Sequence, residues 1–138
     1  MIRERLLNIG LLWLRVLMGF GISLLHGYGK VFGGRMEQFT EAVAKMGFPL
    51  PGFFAWSAAL SEFAGGLLIA FGLGTRIAAF FVFITMSVAA FVRHADDPIN
   101  VKELSLAYWT VSAAILLMGP GRFSIDNWLT RFFCKSKQ

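Results

Sequence analysis

The sequence is poor in the residues that a water-exposed surface and most cofactor sites require. Only 15% of its 138 residues are charged, against about 25% in an average soluble domain. A soluble surface cannot be covered with so few. The single cysteine, Cys134, excludes an intrachain disulfide and any multi-cysteine zinc or iron–sulfur site. It stands in the basic tail and is expected to be an exposed thiol. The two histidines, His26 and His94, and the scattered carboxylates show no metal-ligand spacing, so no metal is expected. There is no phosphate-cradling glycine loop, no dinucleotide fingerprint and no serine or cysteine nucleophile beside a base. No nucleotide cofactor is expected, and a self-sufficient enzyme is not visible.

What is present is apolar residue in long runs. Hydrophobic residues make up 57% of the chain, and a spanning helix takes about 20 residues. Four runs fit, at 6–25, 53–73, 77–92 and 103–118. The prediction is an all-α membrane protein, a four-transmembrane-helix bundle forming one domain over 1–138. Between the first two spans, Met36–Met46 has Phe39, Val43 and Met46 three and four apart, which predicts a short amphipathic helix on the membrane surface. Gly27, Gly29, Gly33 and Gly34 are expected to end the first helix, and Pro49 and Pro51 to open the second. The segment 122–138, with Trp128, Phe132 and Phe133, is expected to rest at the interface rather than to span. The basic start resembles a secretory signal, but Arg15 interrupts the run and no small-residue cleavage pattern follows, so a retained helix is expected.

The net charge of +5 is spread between the apolar runs, with no basic stripe. Anionic membrane lipid is therefore the expected partner, and nucleic acid is not. One set of flanks carries Arg3, Arg5, Arg76, Arg122, Arg131, Lys135 and Lys137. The other carries Lys30, Arg35, Lys45, Arg93 and Lys102. The positive-inside rule then predicts cytoplasmic termini.

Ionisable residues within spans are expensive and point to function. Arg15 lies nine residues beyond Leu6, about 13 Å deep, and Glu62 lies eleven residues before Leu73, about 16 Å from the same face. Antiparallel first and second spans predict that the two meet as a charge-assisted pair, functional or purely a device of register. His26 shares the helical stripe of Arg15, three turns on. With Lys30, His94 and Glu103 at the opposite mouth, and Tyr28, Tyr108 and Trp109 available as walls, a polar recess is expected. Such a recess suits an amphipathic ligand with a polar head. The small face of Ala55, Ala58, Ala59, Ser61, Gly65 and Gly66 predicts close helix packing.

The order of short motifs resembles the DoxX family of small bacterial membrane proteins. The motifs are Leu14-Arg15, His26-Gly-Tyr-Gly-Lys30, Leu60-Ser-Glu62-Phe-Ala-Gly65-Gly66 and Gly72-Leu-Gly-Thr75-Arg76-Ile-Ala78-Ala79. Glu103-Leu-Ser-Leu-Ala-Tyr108 and Gly119-Pro-Gly121-Arg122-Phe-Ser-Ile-Asp126 complete the series. The resemblance implies a bacterial inner-membrane protein tied to oxidoreductase assemblies that handle thiol, sulfur or oxidative-stress chemistry, as in a thiosulfate:quinone oxidoreductase. It would put functional charges at Arg15, His26, Lys30, Glu62, Arg76 and Glu103. A quinone is the implied cofactor, a soluble or membrane redox protein the implied partner, and a homodimer a further expectation. The same buried charges also suit a small-molecule or lipid transporter, or a structural scaffold with no chemistry of its own.

Overall fold

The computed structural model describes residues 1–135, and within them the chain is all-helical. Four helices are long and apolar enough to cross a membrane: α1 Ile2–Val31, α3 Pro51–Phe71, α4 Thr75–Arg93 and α5 Ile99–Met118. Two short amphipathic helices complete the chain, α2 Met36–Lys45 after α1 and α6 Ile125–Lys135 after α5. Each expected span is found. Both ends of α3 and of α4 fall close to the expected ones, while α5 begins at Ile99 rather than at Glu103. The largest difference is in α1, which runs through Gly27 and Gly29 and ends only before Gly33-Gly34. Neighbouring helices re-satisfy backbone groups that glycine would expose, so glycine is tolerated inside a membrane helix.

Helix α1 packs on α3, α3 on α4, and α4 on α5, while α5 returns to touch α1. The start of α1, the α3–α4 turn and α6 lie at one face, here the terminal face. Helix α2 lies at the opposite, distal face. The α1–α3 contact brings the two backbones close together. A Cβ on Gly19 would overlap the carbonyl oxygen of Gly66, and one on Gly27 would overlap the backbone of Phe63. Buried Ala55, Ala59, Gly65 and Gly66 form the expected small face of α3. In lipid, where apolar burial drives no helix association, this backbone approach supplies dispersion contact instead. Met18, Ile22, Ile69, Val82, Met86 and Ile115 fill the core.

Helix α6 closes the terminal face. Its Asp126 carboxylate accepts hydrogen bonds from the Gly74 amide at 2.7 Å and from the Thr75 amide at 2.9 Å. The Thr75 hydroxyl donates a third at 2.8 Å. Asp126 thus caps the N-terminus of α4 from a distant part of the chain, where orphan amides and the helix dipole favour an anion. Burial alone would push the Asp126 carboxyl up. The donors of Thr75 and Gly74, together with the Arg15 charge, outweigh it and hold the group below its ordinary range.

Candidate functional site

Arg15 and Glu62 do not meet. Each is buried, at 1% and 3% exposure, but they serve opposite ends of the bundle. Side chains on a helix lean toward its N-terminus, and α1 and α3 run antiparallel, so the two groups lean apart. The Arg15 guanidinium turns to the terminal face and donates to the Phe123 carbonyl. It fills the space beside Gly72, where any Cβ would overlap Nη1. Gly72 also has φ +72°, so its lack of a side chain serves both the turn and the arginine.

Glu62 turns to the distal face and meets Lys30. The lysine Nζ donates to both carboxylate oxygens, at 2.7 and 2.6 Å. Lys30 comes from the last turn of α1 and leans back into the bundle, as its helix direction requires. The same Nζ stands 4.1 Å from the centre of the Phe39 ring on α2, a cation–π contact.

This pair lies in the wall of a cavity of about 690 Å³ at the distal side. His26 and Lys30 of α1, Phe39 and Val43 of α2, Ser57, Ser61 and Glu62 of α3, and Thr85 and Arg93 of α4 all line it, with Arg35 and His94. Leu25, Phe53, Phe81 and Ile84 line it as well while remaining exposed on the outer surface of the bundle. The cavity therefore opens at an apolar rim drawn from α1, α3 and α4, on a surface that lipid would cover. Its lining passes from phenylalanine and isoleucine to charged and imidazole groups. The Thr85 hydroxyl donates to Ser61 Oγ at 3.1 Å, a polar step part-way along.

Three stretches of wider π-helical turn converge on this cavity: Gly21–Gly27 with His26, Ser61–Gly65 with Glu62, and Ala89–Arg93 with Arg93. Such stretches insert extra residues into a turn and are frequent at functional sites. They have no signature in a 3.6-residue pattern. In α1 the wider turns break the stripe expected to align His26 with Arg15, and the imidazole sits edge-on to Tyr108 of α5, with ring centres 5.6 Å apart.

The other predicted residues are placed as follows. His94 lines the cavity mouth, with Nδ1 2.6 Å from Asp97 Oδ2. Tyr108 touches His26 from behind and does not line the cavity. Trp109 donates from its indole to Ser87 Oγ at 2.9 Å and stacks on Phe83, so it is packing rather than wall. Tyr28 packs on Phe32 and Phe63, also outside the cavity. Glu103 is exposed at the start of α5 and is not brought to the site. Arg76 is exposed at the terminal face and donates to the Leu117 carbonyl at 3.3 Å, tying α4 to the end of α5. Phe39, Ser61, Thr85 and Arg35 join the site without having been expected there, and no sequence pattern marks them. Arg93, expected beside His94 at the distal end of α4, is in the lining too.

The sequence profile of the DoxX family matches residues 10–95. The chain belongs to the DoxX family. That stretch contains every residue lining the cavity and leaves out Glu103, Tyr108 and all of α6. Among relatives, the chain is 35% identical to the inner membrane protein YqjF of Escherichia coli (strain K12), over 93% of this chain and 98% of that one. It is 29% identical to the inner membrane protein YphA of the same organism, over 77% and 81%. It is 40% identical to CatD of Bacillus subtilis (strain 168), named as a proposed oxidoreductase, over 57% and 55%. No solved structure matches it. With four apolar helices of spanning length, this DoxX-family chain is an integral, multi-pass inner-membrane protein.

Proposed function

We propose that the distal cavity holds the polar head of a membrane-soluble quinone and that the chain is the quinone-interacting membrane subunit of an oxidoreductase assembly. The observation that carries this reading is the coincidence of three features in one cavity. It opens on a surface that lipid would cover, its outer part is apolar, and its inner wall carries the Lys30–Glu62 pair with His26. Those residues fit such a head. Lys30 supplies a cationic donor and His26 a neutral or cationic ring nitrogen, while Glu62 supplies a carboxylate within bonding distance of the lysine. A quinone supplies two-electron chemistry coupled to two protons. Lys30 would stabilise negative charge on the head, and Glu62 and His26 would carry its protons. Electrons would come from a partner protein. The name of the relative CatD agrees with a redox role. By the distribution of Lys and Arg, both termini would be cytoplasmic and the cavity would lie on the outer side.

The cavity also carries more cations than anions, with Lys30, Arg35 and Arg93 facing Glu62. That excess favours a second reading, capture or transport of an anionic amphiphile. Mass spectrometry of small molecules that purify with the protein decides between them. A quinone retained by the wild type and depleted in Glu62→Gln supports the first. An anionic amphiphile retained instead, with uptake by proteoliposomes lacking an electron donor, supports the second. Bulk phospholipid alone in both proteins overturns both.

A further inference from the structure

A second recess, of about 510 Å³, adjoins the distal cavity and shares Gln38, Ala42 and Arg93 with it. Gln38, Glu41 and Lys45 of α2 and Arg93 at the end of α4 line it, with Met46 and Val92 as its apolar floor. None of these four polar side chains makes a hydrogen bond or an ion pair among the described residues. That is notable for Glu41 and Lys45, whose spacing along the helix favours a pair. They leave two cations, one carboxylate and one amide open to the same space. Its height is set by α2, whose apolar face is turned inward through buried Val43, and by Arg93, the last residue of a spanning helix. Both place it at the boundary of the hydrocarbon region.

A group that satisfies this lining carries a negative charge for Lys45 and Arg93 and a positive charge for Glu41. It also sits at headgroup depth with an apolar continuation over Val92, which is about half exposed. We propose that the recess binds the headgroup of a zwitterionic phospholipid, with the phosphate between Lys45 and Arg93 and the ammonium beside Glu41. Arg93 lines both recesses, between the headgroup site and the larger cavity. The site is separate from the quinone reading, because Glu41 and Lys45 lie outside the larger cavity.

The test is native mass spectrometry of the delipidated full-length protein in detergent. The protein is titrated with phosphatidylethanolamine, phosphatidylglycerol or inorganic phosphate. The wild type is expected to retain one phosphatidylethanolamine in preference to phosphatidylglycerol. Lys45→Gln should weaken that binding about tenfold, the scale of one lost charge-assisted hydrogen bond. Glu41→Gln should abolish the preference for the ethanolamine head. Equal binding of both lipids by the wild type, or unchanged binding in Lys45→Gln, overturns the proposal. Displacement of the lipid by millimolar inorganic phosphate would assign the recess to a free anion and likewise overturn it. Retention of a quinone should be the same in Lys45→Gln as in the wild type, so each reading can fail alone.

Discussion

Lys30 Nζ holds both carboxylate oxygens of Glu62, at 2.7 and 2.6 Å, across 32 residues of sequence. The carboxylate is nearly sealed from the surface and the lysine is about one-fifth exposed. One end of the pair is thus fixed in the bundle, and the other stands at the edge of a cavity.

Removing the lysine should cost more than removing the pair. Lys30→Met leaves a carboxylate at 3% exposure without its cation and should destabilise by about 3 kcal/mol. The double variant Lys30→Met with Glu62→Leu should recover most of that loss. Equilibrium unfolding in mixed micelles measures both. A double variant that loses the sum of the losses in Lys30→Met and Glu62→Leu alone would show that the pair contributes no coupling.

Exchanging charges tests which partner Glu62 has. Lys30→Glu with Glu62→Lys should give a monodisperse protein in detergent. Arg15→Glu with Glu62→Arg should not, because each new charge faces a neighbourhood built for the opposite sign. Size-exclusion profiles of the two doubles separate these outcomes, and recovery in the Arg15 double would reinstate direct pairing.

The α1–α3 crossing should reject side chains. A Cβ on Gly66 stands 2.6 Å from the Gly19 carbonyl oxygen, so Gly66→Val should cost about 1–3 kcal/mol through overpacking. Gly10, also on α1, has open space where its Cβ would stand, with nothing within 4 Å. Gly10→Val should therefore stay within about 0.5 kcal/mol of the wild type, the usual range for surface changes. Thermal midpoints in one detergent compare the two directly.

Asp126 should make the terminal face acid-sensitive. Its carboxyl is held below its ordinary range in the folded protein, so its stabilising effect is complete above that range. The effect disappears as pH falls through the lowered folded value. Asp126→Asn should cost about 1 kcal/mol near neutrality, as the loss of a cap does. The gap in thermal midpoint between wild type and variant should close in acid. A gap that is constant with pH would refute the capping role of the charge.

Composition and periodicity were enough for the membrane class, the four spans and the amphipathic helix after the first of them. Each depends on local chemistry: the length of an apolar run, the spacing of Phe39, Val43 and Met46, and the prolines at the start of α3. The small face on α3 was legible for the same reason, since only small residues allow two helices to approach that closely in lipid. The burial of Arg15 and of Glu62 also followed from their place within apolar runs.

Which partner each charge takes was settled only by the tertiary structure. Depth along a helix says nothing of the direction in which a long side chain leans, and in antiparallel helices equal depths lead to opposite faces. The wider turns at Gly21–Gly27, Ser61–Gly65 and Ala89–Arg93 were invisible to a 3.6-residue period, and they aim His26, Glu62 and Arg93 at a common space. The cavity itself depends on where α2 folds back over α3. The sequence by itself determined that charges are buried in a membrane bundle. Packing decided that Glu62 faces Lys30 and Arg15 faces the Phe123 carbonyl, because helix register, and with it the groups within reach of each leaning side chain, is a property of the assembled bundle and not of any one segment.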